Sequence, residues 1–383
     1  MITVRIIAPS RDFRYQAKHP LDLAEVLAAK NFHVEVLAPM RPEVIAIHAN
    51  RGFKITRLPS MFSSFIRGEA VARSLLGGLP PTAVTIGIDT PGLLVAHMLK
   101  RLRLTNVLVY YAMELSLPED CYGQKSVWYQ TRCINDSDMV VTTGPERAEI
   151  MHQRFSLKSL PFILRNTLVL GGPVKCGTLR EALQARNIVA PERCVVFSGF
   201  LSERTGLPNI VESMTLWPPN TGLVLLGQGS PEFLDHLVAI ARKNRCADRL
   251  IALGAVAPGW DAMSSLIAGA SIGIATRKYK SGTLNEKYYD PTKLFEYAAV
   301  GVPVLCSDQH SLEFVQDEDW GVCVDPESPA RIGAAVSKML SDPKTLERMG
   351  RTARRLFEER YCMERQVQPI VSALSHLTAG RAS

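Results

Sequence analysis

Short apolar runs alternate along the chain with longer stretches in which apolar residues recur every three or four positions. Residues 2–8 (ITVRIIA) and 33–40 (HVEVLAPM) read as strands, and the DLAEVLAAKN between them places its apolar positions on one helical face. The chain is therefore expected to open with a βαβ unit, the start of a parallel sheet. Further strands are predicted at 83–88, 106–112 and 138–144, with helices near 92–103 and 124–135. A second series follows at 194–200, 222–229, 249–256, 271–277, 302–307 and 321–325, again separated by helical patterns. Between the two series, near 161–190, PFILRNTLVLGGPVKCG gathers glycine and proline and loses periodicity. The expected organisation is an α/β protein of two Rossmann-like domains, 1–170 and 171–360, followed by a helix over 361–383 packing back across them. Helical patterns fill 328–341, 344–360 and 361–377, and Pro369 should kink or divide the last of these.

A length of 383 residues suits two cores of ordinary size. No run of 18 or more uncharged apolar residues is present, so a transmembrane helix is not expected. The start, MITVRIIAPS, reads as a strand rather than a signal peptide, and a cytoplasmic location is expected. The eight cysteines form no C-x-x-C pair and have no histidine at zinc spacing, so they are read as reduced and mostly buried. The charge of +7 is uneven: residues 1–165 hold 20 Lys and Arg against 14 Asp and Glu, and the rest 24 against 23. Such a surplus favours an anionic partner, and a solvated basic surface is the alternative. With no aromatic-basic platform or finger spacing, a nucleic-acid partner is not expected.

The most informative stretch is Asp290-Pro291-Thr292-Lys293-Leu294-Phe295-Glu296-Tyr297-Ala298-Ala299-Val300-Gly301-Val302-Pro303-Val304. Asp290 suits an N-cap and Pro291 the first helical position. The N-terminus of such a helix offers unpaired N–H groups and a positive dipole end to a phosphate, and Lys293 adds a full charge in the first turn. Glu296 lies on the same face, about 5 Å further along the axis. That offset fits a ribose whose two hydroxyls donate to one carboxylate. A solvated Lys–Glu pair on an amphipathic helix is the other reading of these two residues.

The run P-x-K-L-F-E-Y-A-A-x-G-x-P-V-L resembles the donor-site signature of the retaining family 4 glycosyltransferases, the "group 1" glycosyltransferases. The resemblance implies a GT-B fold, two Rossmann-like domains facing across a cleft, and a nucleotide-diphosphate sugar such as a UDP- or GDP-sugar as donor. It extends more weakly over VVFSGFL (195–201), where Gly199 would let the backbone approach the diphosphate, and LVLLGQGSPE (223–232). It also takes in LGAVAPGWDAMSSLIAGASIGIAT (253–276), where Gly254, Ala255 and Val256 would border the base. The donor-binding candidates, from the resemblance and from the side chains at and beside its departures, are Gly199, Arg204, Val256, Arg277, Tyr288, Pro291, Thr292, Lys293, Leu294 and Glu296.

Two departures stand out. The family places arginine after the strand glycine and a lysine a few residues on, where this chain has Phe200 and Thr205; Arg204 is the nearest cation. At the position eight residues before Glu296, where the family has an acidic residue that contacts the transferred sugar, this chain has Tyr288, which leaves Asn285 or Glu286 of the same loop as substitutes and both retaining and inverting outcomes open. The loop RKYKSGTLNEKYYD (277–290) also carries Lys278, Lys280 and Lys287, either for an anionic ligand or as a solvated loop.

The first half is less diagnostic. The loop PSRDFRYQAKHP (9–20) lacks G-x-G-x-x-G, which argues against a dinucleotide-dependent dehydrogenase. Its Arg11, Arg14 and His19, with Asp89 after the strand at 83–88, are the acceptor-binding candidates. The strand 106–112 runs into YYAMELSLPED (110–120), where Glu114 is the candidate catalytic base beside Lys293, the candidate stabiliser of the leaving diphosphate. Helix capping is the other role open to Asp89 and Glu114. Residues 60–81 (SMFSSFIRGEAVARSLLGGLPP) suit either an interfacial helix on the cytosolic membrane face or an ordinary packed helix. The expected activity is metal-independent sugar transfer, without a cofactor, to a glycan or lipid-linked acceptor. A nucleotide-sugar epimerase and a non-catalytic binding subunit are the rival readings.

Overall fold

The computed structural model describes residues 1–9, 18–42, 45–46, 51–57, 78–117, 124–171, 178–254, 260–280 and 282–380. The chain divides into two compact units, Met1–Val169 with Met363–Ser383, and Leu170–Cys362.

The first unit is built on a seven-stranded sheet in the order β3-β2-β1-β4-β5-β6-β7. The strands are β1 (Thr3–Ile7), β2 (His33–Ala38), β3 (Lys54–Arg57), β4 (Thr82–Ile88), β5 (Thr105–Ala112), β6 (Met139–Thr142) and β7 (Phe162–Ile163). Every neighbouring pair is parallel. Strands buried on both faces need near-continuous apolar runs, which is how β4 and β5 read. The expected strands are present. Two more, β3 and β7, were not predicted: KITR carries one apolar residue, and Phe162–Ile163 is too short for any period. A pairing across the sheet supplies what β3 lacks in apolar content. Glu35 on β2 accepts from Thr56 at 2.8 Å, and its carboxylate lies 3.2 Å from both Lys54 and the fully buried Arg5. These partners outweigh burial and hold the Glu35 carboxyl below its ordinary range.

The last helices of the chain complete this core. Met363, Val367, Ile370 and Leu374 pack with β1, β2 and β4 residues. The Met363 N–H donates to the Leu168 carbonyl at 2.9 Å, and the Arg165 N–H to Gln366 Oε1 at 2.8 Å. Pro369 sits in the first turn of the helix Gln368–Ala379, so the division falls just before it, where a missing N–H costs nothing.

The second unit has a six-stranded parallel sheet in the order β10-β9-β8-β11-β12-β13. Its strands are β8 (Arg193–Ser198), β9 (Thr221–Leu226), β10 (Leu250–Gly254), β11 (Ile272–Ala275), β12 (Val304–Ser307) and β13 (Gly321–Val324). The core joins Val195, Phe197, Leu223, Leu225, Ile272, Ile274 and Leu305 to the helices Leu207–Ser213 and Pro329–Ser341. Six cysteines in the described residues are free thiols, five of them buried. No described helix is long and apolar enough to cross a membrane.

Candidate functional site

The helix Thr292–Ala299 is fixed to the second sheet by Tyr297. Its hydroxyl accepts from the Ser198 N–H at 3.0 Å and lies 3.1 Å from Ser198 Oγ, 3.1 Å from the Val196 carbonyl and 3.2 Å from the Ile274 carbonyl. The ring lies flat over β11 because residue 273 is glycine: a Cβ there would fall 2.4 Å from the ring. Burial pushes the phenol well above its usual range, so it stays a donor. Tyr297→Phe should therefore strand the buried Ser198 N–H and cost about 1–3 kcal/mol in chemical denaturation. An unchanged midpoint would remove this anchor from the account. At the other end Arg354 Nη1 donates to the Ala299 carbonyl, satisfying a C-terminal carbonyl of the helix.

So anchored, the helix begins at the carboxyl edge of the sheet. The N-cap is Pro291, with extended ψ of 127°, and Asp290 is one residue outside and buried, which shifts the expected cap by one position. Lys293 is half-buried, and its ammonium sits 3.7 Å from the centroid of the Phe197 ring. It is also beside Gly199: a Cβ at that position would stand 3.4 Å from Nζ. Among the described residues no hydrogen bond or ion pair reaches this ammonium. Desolvation lowers the Lys293 pKa to about 7, with the Arg277 charge adding to the effect and the Glu296 charge opposing it. Glu296 is half-buried one turn further on.

Three adjacent strands end in glycines of left-handed backbone, Gly199 (φ 110°), Gly227 (φ 153°) and Gly254 (φ 71°), and the first of them is the one beside this lysine. They are stitched together, since the Gly199 N–H donates to the Leu226 carbonyl at 2.8 Å and the Gly227 N–H to the Gly254 carbonyl at 2.9 Å. The result is an edge of bare backbone next to a cation and a helix N-terminus, the parts from which phosphate sites are made.

The remaining candidates are placed less simply. Arg277 lies 4.6 Å from the Tyr289 ring centroid and 3.5 Å from Glu286, and its buried Nε has no hydrogen-bond partner. Arg204 is 73% exposed and 3.7 Å from the same Glu286. Glu286 also accepts the Thr283 N–H at 3.0 Å in a capping box, so its carboxylate is occupied within its own loop and is withdrawn as a stand-in for the acidic sugar contact. Asn285 is buried, and Tyr288 is the C-cap of the helix Leu284–Lys287. Leu294 has its side chain in the core and its N–H on the Pro291 carbonyl, so it has no donor group left for a ligand. Lys278 and Lys280 pair with Glu203 at 3.2 Å and Asp325 at 2.7 Å, which favours the solvated reading of their loop. Val256 and Ala255 lie outside the described residues. The role of Tyr297 was missed from sequence, although Gly273 on β11, the strand before this helix, is the partner that makes room for it.

In the first unit Asp89 and Glu114 stand at the ends of β4 and β5. Asp89 Oδ1 accepts the Met113 N–H at 2.9 Å and the Glu114 N–H at 3.0 Å. His19 is 8% exposed, with Nδ1 3.2 Å from the Thr167 carbonyl and Nε2 2.5 Å from the Tyr111 hydroxyl. Both ring nitrogens serve the framework, which turns the acceptor-binding expectation for His19 into a structural role. Arg11, Arg14 and most of 60–81 lie outside the described residues. Asp136 and Asp138 hold His97 at 2.7 Å and Lys100 at 2.8 Å, and among the described residues no cluster of metal-ligating side chains occurs.

Two parallel-sheet, Rossmann-like domains in one chain define the GT-B fold class, and solved structures of that class align over nearly the whole chain. HepE of Anabaena, in complex with UDP and glucose, is 14% identical with a TM-score of 0.79, covering 98% of this chain and all of that one. Sucrose-phosphate synthase of Thermosynechococcus elongatus is 17% identical with a TM-score of 0.73, covering 99% and 100%. WaaG, a glycosyltransferase of lipopolysaccharide biosynthesis, is 16% identical with a TM-score of 0.64, covering 98% and 100%. At these identities the likeness establishes the fold. No curated protein matches in sequence. Residues 180–356, most of the second unit, match the family of glycosyl transferases group 1.

Proposed function

We propose that this chain is a glycosyltransferase that moves a sugar from a UDP- or GDP-sugar to a glycan or lipid-linked acceptor without a metal ion. The observation that carries the reading is the Lys293 ammonium, held over Phe197 beside Gly199 at the start of an anchored helix. A diphosphate seated there gains the ammonium, the helix N-terminus at Thr292 and the Gly199 backbone, and the same groups stabilise the charge that grows as the glycosidic bond breaks. Glu296 takes the ribose hydroxyls, and Arg277 and Arg204 flank the diphosphate. The group 1 match over this unit and the UDP and UDP-glucose seen in structural neighbours support the assignment. Asp89 and Glu114 of the first unit are the carboxylates assigned to the acceptor in this reading, and a peripheral contact with the cytosolic membrane face is consistent with the basic first half.

A thermal-shift series with UDP, GDP and ADP tests the reading directly. One nucleotide at a hundredfold excess over its dissociation constant should stabilise by about 2.7 kcal/mol. Glu296→Ala should remove most of that shift for ribonucleotides, while inorganic diphosphate, which has no ribose, binds the variant as it binds the wild type. Equal losses for both ligands would move the ribose away from Glu296.

A further inference from the structure

At one edge of the second sheet, β12 and β13 pair so that Cys306 and Cys323 are direct partners, and their sulfurs lie 3.6 Å apart. Cys306 is buried, whereas Cys323, on the edge strand, is partly exposed. A small solute can therefore reach one sulfur, and the other waits behind it.

In the reduced pair each thiol also reaches a carbonyl, Cys306 that of Val322 at 3.8 Å and Cys323 that of Leu312 at 3.5 Å. The hydrogen bond between the two thiols raises the pKa of Cys306 and lowers that of Cys323, so the first proton leaves Cys323 and the buried Cys306 keeps its own. The thiolate is the nucleophile in thiol chemistry. The more reactive sulfur is thus the one nearer solvent.

Both cysteines stand one residue before the ends of their strands, and residues 277–280 hang from those ends. Ser307, next to Cys306, accepts the Arg277 N–H at 2.7 Å and donates to the Arg277 carbonyl at 2.9 Å. Asp308 accepts the Tyr279 hydroxyl at 2.9 Å, and Asp325, two residues after Cys323, holds Lys280 at 2.7 Å.

We propose that Cys306 and Cys323 form a modification site, a dithiol that hydrogen peroxide closes to a disulfide and a thiol reductant reopens, and that closure loosens the hold on Arg277. The disulfide is independent of the glycosyltransferase reading; its effect on nucleotide binding rests on that reading. The Cys323 thiolate attacks one peroxide oxygen, the O–O bond breaks, and hydroxide leaves a sulfenic acid behind. The Cys306 sulfur then bonds to the Cys323 sulfur and expels its oxygen, which departs as water with the Cys306 proton. The hydroxide takes up the proton first released by Cys323. Two thiols lose two electrons, and the peroxide is reduced to two waters.

Closure has to move backbone. The sulfurs of a disulfide are about 2.05 Å apart and its Cβ atoms about 3.8 Å apart, both shorter than the present contact and the spacing of about 4.8 Å between neighbouring strands allow. The ends of β12 and β13 must therefore draw together. Since β12 lies between β11 and β13, that movement carries Ser307 away from Arg277, which follows β11. A disulfide formed under such strain at a partly exposed position is of the labile kind that reductants reopen.

The test treats wild type with hydrogen peroxide, blocks the remaining free thiols, and maps disulfides by mass spectrometry. A linked Cys306–Cys323 peptide pair should appear and should vanish in dithiothreitol. Calorimetry then uses UDP or GDP, whichever reduced wild type binds. Oxidation should weaken that binding about fivefold or more, dithiothreitol should restore it, and Cys323→Ser should be insensitive to peroxide. Peroxide that leaves the two thiols unlinked would overturn the site. A disulfide that forms without changing nucleotide affinity would overturn the link to Arg277. A wild-type protein that binds neither UDP nor GDP would overturn the glycosyltransferase reading, with the mapped disulfide still deciding the site.

Discussion

Lys293→Met should weaken binding of a nucleoside diphosphate by about 100-fold or more, the usual cost of removing one partner of a desolvated charge pair. The loss should also erase a pH dependence. In the free protein Lys293 titrates near 7, because burial disfavours its charged form. An anionic ligand needs the ammonium, so above about pH 7 each binding event takes up a proton and affinity falls by up to tenfold per unit. Below that pH the ammonium is already present and affinity levels off. Calorimetry in two buffers of different ionisation enthalpy measures the proton directly, and an uptake of zero at pH 8 would end the argument. The same shift carries a stability consequence of definite sign. The folded pKa of about 7 lies below the value of about 10.4 expected in the unfolded chain. Between these values the unfolded chain holds more protons, so the stability of unliganded wild type, relative to Lys293→Met, rises with pH across that window and is constant below about 7, where both states are protonated.

How much of this was legible in the chain depends on how local the controlling interaction is. The sheets could be read, β3 and β7 apart, because the other strands each carry their own apolar run, and the donor helix because Pro291, Lys293 and Glu296 lie within a turn and a half. The group 1 resemblance found there agrees with the family match over 180–356. What could not be read depends on partners distant in sequence. His19 looked like a cleft residue, and its partners are 92 and 148 residues away. Glu286 looked free to take a sugar hydroxyl until the capping box and two arginines claimed it. In each case a polar side chain in a plausible position was already satisfied by the fold, which local spacing does not reveal.

Gly227→Ala should be the most damaging single-methyl change near the donor edge. A Cβ at this position would stand 1.8 Å from the Gly199 carbonyl oxygen, which belongs to backbone and has no rotamer to move. Relief requires β8 and β9 to separate at their ends, which breaks the bond from the Gly199 N–H to the Leu226 carbonyl and displaces Gly199 from Lys293. Overpacking of a rigid contact costs about 1–3 kcal/mol, and the left-handed φ of 153° adds strain for any L side chain. The structural cost should therefore fall on stability and nucleotide binding together, whereas Lys293→Met should affect binding far more than folding. Gly254→Ala is the internal control: it shares a left-handed backbone, but nothing described lies within 4 Å of its Cβ position, so only the backbone strain remains. Denaturation midpoints and UDP affinities for the three variants separate these contributions. A Gly227→Ala protein as stable as Gly254→Ala, binding nucleotide like wild type, would mean that the two strand ends are not packed as closely as this contact requires.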